Sequence, residues 1–205
     1  SDILNENGIS ERLPLVFSHS ILCTAFTRKK ELLRLLQSSI QDAIPPVNTK
    51  SKFMRNLPVL INELETKLPF IEQKKESVSQ ATVGWHIEHS LLALIKMISA
   101  VEHSNPADYK WKFNIKRTVV LLLDKFPRGR AKAPASVKPG EVINNNSIAP
   151  LLLKAKQKAE SFEKLSKDKF FTLPVFGDLR VKQARRIIAI HTRHHIKIIN
   201  DILSA

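Results

Sequence analysis

Cysteine is nearly absent. The single Cys23 in 205 residues excludes an internal disulfide framework, a cysteine-based zinc finger and an iron–sulfur cluster. Glycine is scarce too, with five in the chain, which excludes collagen-like and glycine-linker architectures. No GxGxxG or GxxxxGK(S/T) run is present, so the phosphate-cradling loops of several large enzyme classes are missing. No apolar run approaches the roughly 18 uncharged residues of a membrane span. Aromatic residues are also few, ten Phe, two Trp and one Tyr. They read as not interleaved with basic residues, which argues against base-stacking platforms for nucleic acid.

Acidic residues are the minority charge. Lys and Arg number 33 against 19 Asp and Glu, a net of +14. Residues 1–100 are nearly balanced, with 12 basic and 10 acidic residues, whereas 101–205 carry 21 and 9. Such asymmetry points to an acidic partner or to a lysine-rich solvated surface. The scatter of Lys154, Lys156, Lys158 and Lys164 favours the solvated surface. At 43% apolar and 25% charged residues, the chain has an ordinary globular composition.

The apolar pattern predicts an all-α fold. Residues 1–45 form an N-terminal extension, helical over about 15–43 and stopped by Pro45-Pro46. Its basic residues follow the apolar stretch rather than precede it, which does not match a secretory signal. A second unit spans 51–203. Phe53, Leu57, Leu60, Ile61, Leu64 and Leu68 make one helical stripe. Ser77 or Ser79 is the expected N-cap of a helix over 79–103. Tyr109–Phe126 reads as a shorter helix carrying Val119, Val120, Leu121, Leu122 and Leu123. Residues 127–147 read as a long loop, either a lid or a mobile connection. Ser147 is expected to cap a helix over about 148–166. The segment FTLPVFGDL reads as a linker to a last helix over about 180–203. No period-2 strand pattern stands out. The architecture expected is a four-helix bundle, with an additional N-terminal helix and the long loop between the third and fourth long helical segments.

Seven histidines supply the chemistry. On the last helix the apolar stripe runs Ala184, Ile187, Ile188, His191, His195, Ile198, Ile202. His191 and His195 therefore sit at i and i+4 on the core-facing side. Two protonated imidazoles stacked there would repel, and one divalent ion reached by both resolves the conflict. His86 lies on the stripe Val83, His86, Ile87, Ser90, Leu94, Met97, Ile98, Val101 and is the expected third ligand. His89 leans toward the side of Thr82, Trp85, Leu92 and Lys96 and is assigned to an outer or surface position. His194 is rotated toward Ile190, a supporting or substrate-facing place. The glutamate of the HExxH zinc-protease motif is missing between His191 and His195.

Two segments carry a resemblance. SQATVGWHIEHSLL at 79–92 and LPVFGDLRVKQARRIIAIHTRHHIKII at 173–199 resemble the DinB/YfiT-like superfamily of metal-binding four-helix bundles, closest to a branch described only as a domain of unknown function. The family has a helix-capping Ser or Thr about seven residues before a histidine, as Ser79 stands to His86. It also has an HxxxH pair on the last helix, as His191 and His195. The likeness covers about 51–203 and implies that His86, His191 and His195 hold one divalent ion such as zinc, nickel or iron. Many members of the branch carry His before the Pro-x-Phe-Gly turn, where this chain has Leu173.

The resemblance further implies an enzyme in which the ion activates a thiol or water, for S-transfer or hydrolysis on a small molecule. A low-molecular-weight thiol such as bacillithiol or mycothiol is the implied co-substrate. Glu88 and His194 are the nearest acid–base candidates, and Glu88, two residues from His86, is expected to point away from the ion. Arg128, Arg130, Lys132 and Lys138 make the 127–147 loop either a basic rim or a solvated segment. The alternative function is a non-enzymatic basic bundle that binds nucleic acid or an acidic partner. A third reading has the histidines merely packed and hydrogen-bonded. A cytoplasmic location, no membrane partner and a possible homodimer complete the expectations.

Overall fold

The computed structural model describes residues 56–127 and 134–204. The expected helix over 15–43, Cys23, and Arg128, Arg130 and Lys132 of the loop lie outside the described residues. The described chain is mainly helical. Its helices are α1 (Leu57–Glu65), α2 (Val83–Glu102), α3 (Ile115–Leu123), α4 (Asn145–Glu163) and α5 (Val181–Leu203). One two-stranded antiparallel sheet, β1 (Phe170–Leu173) and β2 (Gly177–Arg180), precedes α5. No helix among the described residues is long and apolar enough to cross a membrane.

Four helices share one core. α2 packs on α4 and α5, and α1 packs on the same two. Leu57, Leu60, Ile61 and Leu64 of α1 are fully or almost fully buried, so these four members of the stripe face inward. Leu68 lies past the end of α1 and is partly buried, and Phe53 lies outside the described residues. Leu91, Leu94 and Ile98 of α2 meet Ala155, Ala159 and Phe162 of α4 and Ile187, Ile188 and Ile199 of α5 in one apolar cluster. α3 stands outside this group, with only Arg117 and Val120 buried.

Several helix starts differ from expectation. Thr82, not Ser77 or Ser79, caps α2: its side chain accepts from the Trp85 amide at 3.2 Å. Ser79 accepts instead from the Ala81 amide at 3.1 Å and faces His86. α4 begins three residues earlier than expected. Asn144 is its cap and Ser147 is the third helical residue, the two bonding reciprocally as a capping box. Gly84 lets the start of α2 approach the chain before it. Its amide donates to the Ile71 carbonyl at 2.9 Å, and a β-carbon there would lie 3.1 Å from that oxygen.

The supposed linker is a β-hairpin, so the all-α expectation is corrected to a mainly helical fold with a small sheet. Phe171 pairs with Leu179 and Leu173 with Gly177. Pro174, Val175 and Phe176 turn the chain, and Gly177 takes φ +68°, the left-handed value that closes a three-residue hairpin loop. Phe170 and Phe171 are both buried, so β1 lacks the alternation that marks a half-buried strand.

The 134–144 part of the long loop is packed rather than free. Val137 is buried within a short 3-10 turn (Ala135–Val137) that lies on α2. The Gly140 amide donates to Glu88 Oε1 at 3.1 Å, and Ser147 Oγ donates to Glu88 Oε2 at 3.2 Å. Glu88 thereby ties the loop and α4 to α2.

Candidate metal centre

The site lies where α2 and α5 face one another. His191 and His195 stand one turn apart on α5, and their ring centroids are 4.7 Å apart. His89 of α2 approaches both, 4.8 Å from the ring of His195 and 5.3 Å from that of His191. One ring nitrogen from each of these three histidines lies within 4.8 Å of the other two. The three side chains can therefore hold one metal ion.

His89 is thus brought to the place assigned to His86. The sequence places His89 on the side of α2 that carries Trp85 and Lys96, and gives that side an outer or surface role. The loop covers it. Trp85 stacks on His89 at 4.9 Å and 16° between planes, and Lys96 Nζ donates to the Ser136 carbonyl at 3.3 Å. His89 is consequently buried. Its Nδ1 donates to the Val137 carbonyl at 2.8 Å, and this fixes the tautomer: the proton is on Nδ1 and the lone pair is on Nε2. A backbone carbonyl behind a ring N–H is the usual orienting partner of a metal-binding imidazole.

His86 sits behind His195 instead. The two Nδ1 atoms are 3.0 Å apart, and His86 Nε2 is 2.9 Å from Ser79 Oγ. One consistent proton order runs through the chain. His195 Nδ1–H donates to His86 Nδ1, and His86 Nε2–H donates to Ser79 Oγ, which leaves the Nε2 lone pair of His195 for an ion. His86 and Ser79 then orient a ligand. Changing either to alanine will weaken metal binding by about 10- to 100-fold, read by competition with a chelator, while His89→Ala will cost more.

His191 completes the set differently. Its Nδ1 is sealed from solvent and has no hydrogen-bond partner, a state that is costly for a polar atom unless something else meets it. Burial, reinforced by His89 and His194, lowers the pKa of His191 to about 3. Burial also holds His195 well below the usual histidine range, with His191, His89, His86 and His194 adding to it. His89 is lowered by burial, against the opposing pull of its bond to Val137. All three are neutral imidazoles at neutral pH, the form that binds metals. Three neutral imidazoles fit a divalent transition ion such as zinc, nickel or iron, and do not fit magnesium or calcium, which take oxygen ligands.

The remaining candidates fall around this cluster. Glu88 is buried but spends its carboxylate on Gly140 and Ser147, away from the three rings. His194 stands edge-on to His195 at 5.2 Å. Phe126 meets both His191 and His194 edge-on, at 6.1 and 6.2 Å. The chain reaches Phe126 through Asp124, which ends α3 in the left-handed region at φ 52°. Asp124 also accepts from Arg193 of α5 at 2.6 Å, fastening this corner beside the cluster. Phe126 has no signal in the sequence because it reaches His191 and His194 only through long-range packing. Comparison of the chain with protein-family models, with curated proteins and with solved structures returned no match.

Proposed function

We propose that this chain is a DinB-like metal-binding protein in which His89, His191 and His195 hold a divalent transition metal. The observation that carries the reading is the cluster of three neutral imidazoles from two helices, His89 and His195 buried and His191 half-buried with an orphaned nitrogen. Three protein ligands leave coordination positions open, the arrangement of catalytic rather than structural sites. When bound, such an ion supplies an acidified water or holds a thiol as thiolate near neutral pH. The activity we propose is S-transfer or hydrolysis on a small molecule, with a low-molecular-weight thiol as co-substrate.

The chain's own groups have defined parts in this reading. Trp85 and Phe126 shield the cluster with apolar surface. His86 and Ser79 orient His195, and Val137 orients His89. His194 is the titratable group that we assign to proton transfer. A cytoplasmic setting and a homodimer belong to the same proposal.

The test uses the full chain without a histidine tag. After incubation with zinc, nickel or iron and removal of excess, elemental analysis is expected to find about one metal per chain. Metal-loaded protein is then assayed for consumption of bacillithiol, mycothiol or glutathione in the presence of small electrophiles. No retained metal under any loading overturns the proposal. Retained metal without thiol turnover or hydrolysis overturns the enzymatic part alone.

A further inference from the structure

The segment around α3 presents its apolar side to solvent. Trp111 is 67% exposed, Phe113 70% and Leu122 80%. Ile115, Val119 and Leu122 recur at spacings of four and three, so they share one stripe of α3, and all three are exposed. The inward side of the same helix carries the buried Arg117 and Val120. Large apolar residues concentrated this way mark an interaction surface rather than the scattered exposure normal for a monomer.

This surface is held rigidly. The Arg117 guanidinium donates to the carbonyls of Phe176 and Asp178 at 3.2 and 3.0 Å and to that of Lys112 at 2.6 Å. The Lys110 amide donates to Asp178 Oδ2 at 2.7 Å, and Asn114 Nδ2 to the Val175 carbonyl at 2.9 Å. These bonds clamp residues 110–117 to the β-hairpin. They also bring the exposed Val175 at the hairpin turn beside the segment. The apolar side chains are therefore pre-ordered, which lowers the entropy lost on docking.

Charge selects the partner. Lys110, Lys112, Lys116 and Lys125 are exposed within or beside the apolar stripe. The acidic Asp124 in this stretch is engaged by Arg193 and Arg186. A second copy docked face to face would oppose lysine to lysine. Trp111 and Phe113, interleaved with Lys110 and Lys112, could stack on bases, and the sequence reading overlooked this alternation. Stacking leaves Ile115, Val119 and Leu122 without a purpose, because aliphatic side chains offer no ring for a base. An anionic lipid surface uses every part: the aliphatic stripe enters the acyl boundary, Trp111 sits at headgroup level, and the lysines meet lipid phosphates.

We propose that Trp111, Phe113, Ile115, Val119 and Leu122, flanked by these lysines, form a docking surface for an anionic membrane. This departs from the sequence-based expectation of no membrane partner, and it stands independently of the metal centre. The protein lies on such a membrane and does not span it.

Flotation of the full chain with vesicles tests the proposal. Phosphatidylcholine vesicles containing phosphatidylserine are expected to carry the protein, more so at low salt, and phosphatidylcholine alone to carry little. The double variant Trp111→Ser, Leu122→Gln will lower partitioning more than tenfold. Lys112→Gln and Lys116→Gln will each lower it about fivefold. Leu153→Gln, at an exposed apolar position on α4, is the control and will leave partitioning unchanged. The substituted side chains are exposed, and circular dichroism and melting checks that the fold is kept. Failure to bind phosphatidylserine vesicles overturns the proposal, as does binding that the folded double variant retains. A dimer abolished by the double variant, without vesicle binding, assigns the face to a second copy. Retention of a single-stranded oligonucleotide, without vesicle binding, assigns it to nucleic acid.

Discussion

Replacing His89, His191 or His195 with alanine will abolish stoichiometric metal retention, and each single change is expected to suffice. The affinity of structural zinc sites corresponds to roughly 3 kcal/mol per ligand, so losing one of three costs more than a hundredfold. The three positions draw on two helices, and no pair from one helix replaces the missing member. The same variants separate ligands from their supports. His86→Ala and Ser79→Ala keep a weakened site because the lone pairs that face the ion remain. Metal binding will also stabilise the fold. An ion a hundredfold above its Kd adds about 2.7 kcal/mol, which in a domain of this size raises Tm by about 5 to 10 °C. Differential scanning calorimetry of the parent and His195→Ala, each with and without zinc, reads both effects. A zinc-induced rise in Tm that persists in His195→Ala would falsify the assignment.

Without metal, the protein will lose stability as the pH falls below about 6.5. An unfolded histidine takes up a proton near that pH, whereas folded His191 stays neutral down to about pH 3. Between those values the unfolded chain binds more protons, so acid favours unfolding. The stability contributed by the neutral ring is complete above pH 6.5 and drains away toward pH 3. Each such histidine adds a slope of about 1.4 kcal/mol per pH unit, and His195 and His89 shift in the same direction. Urea unfolding of metal-free protein at pH 7.5, 6.5 and 5.5 measures the slope above the range where carboxylates titrate. His191→Asn will have a shallower dependence over that interval than the parent. A flat profile would show that the rings are open to water and take up protons over the same pH range as in the unfolded chain.

The helices were legible because their apolar spacing survives in one dimension. α1 keeps its buried stripe, and periodicity put His191 and His195 one turn apart on α5, although Ala189, Ile190, Thr192 and Ile196 on its other sides are buried as well and His191 itself is half-buried. α2 defeated the same method. It is enclosed by α4, α5 and the 134–144 loop, so His86, Glu88, His89 and Ser90 are all buried, and a one-sided wheel cannot rank them. The hairpin was missed for a related reason: both Phe170 and Phe171 turn out buried, and four residues are too few to show a period. Val137 had no signal at all, since a loop valine becomes an orienting partner only through where the loop comes to rest.

The sequence by itself determined the helical character, the i,i+4 histidine pair, the near-absence of cysteine as a metal ligand and the excess of positive charge. These follow from residue identity and local spacing, which chain connectivity preserves. Tertiary structure decided that His89 rather than His86 joins the pair, that Glu88 serves the loop, and that α3 turns its apolar stripe outward. Each of those outcomes depends on which surfaces meet. A helix has the same periodicity whichever neighbour covers it, and only packing settles which face is dry.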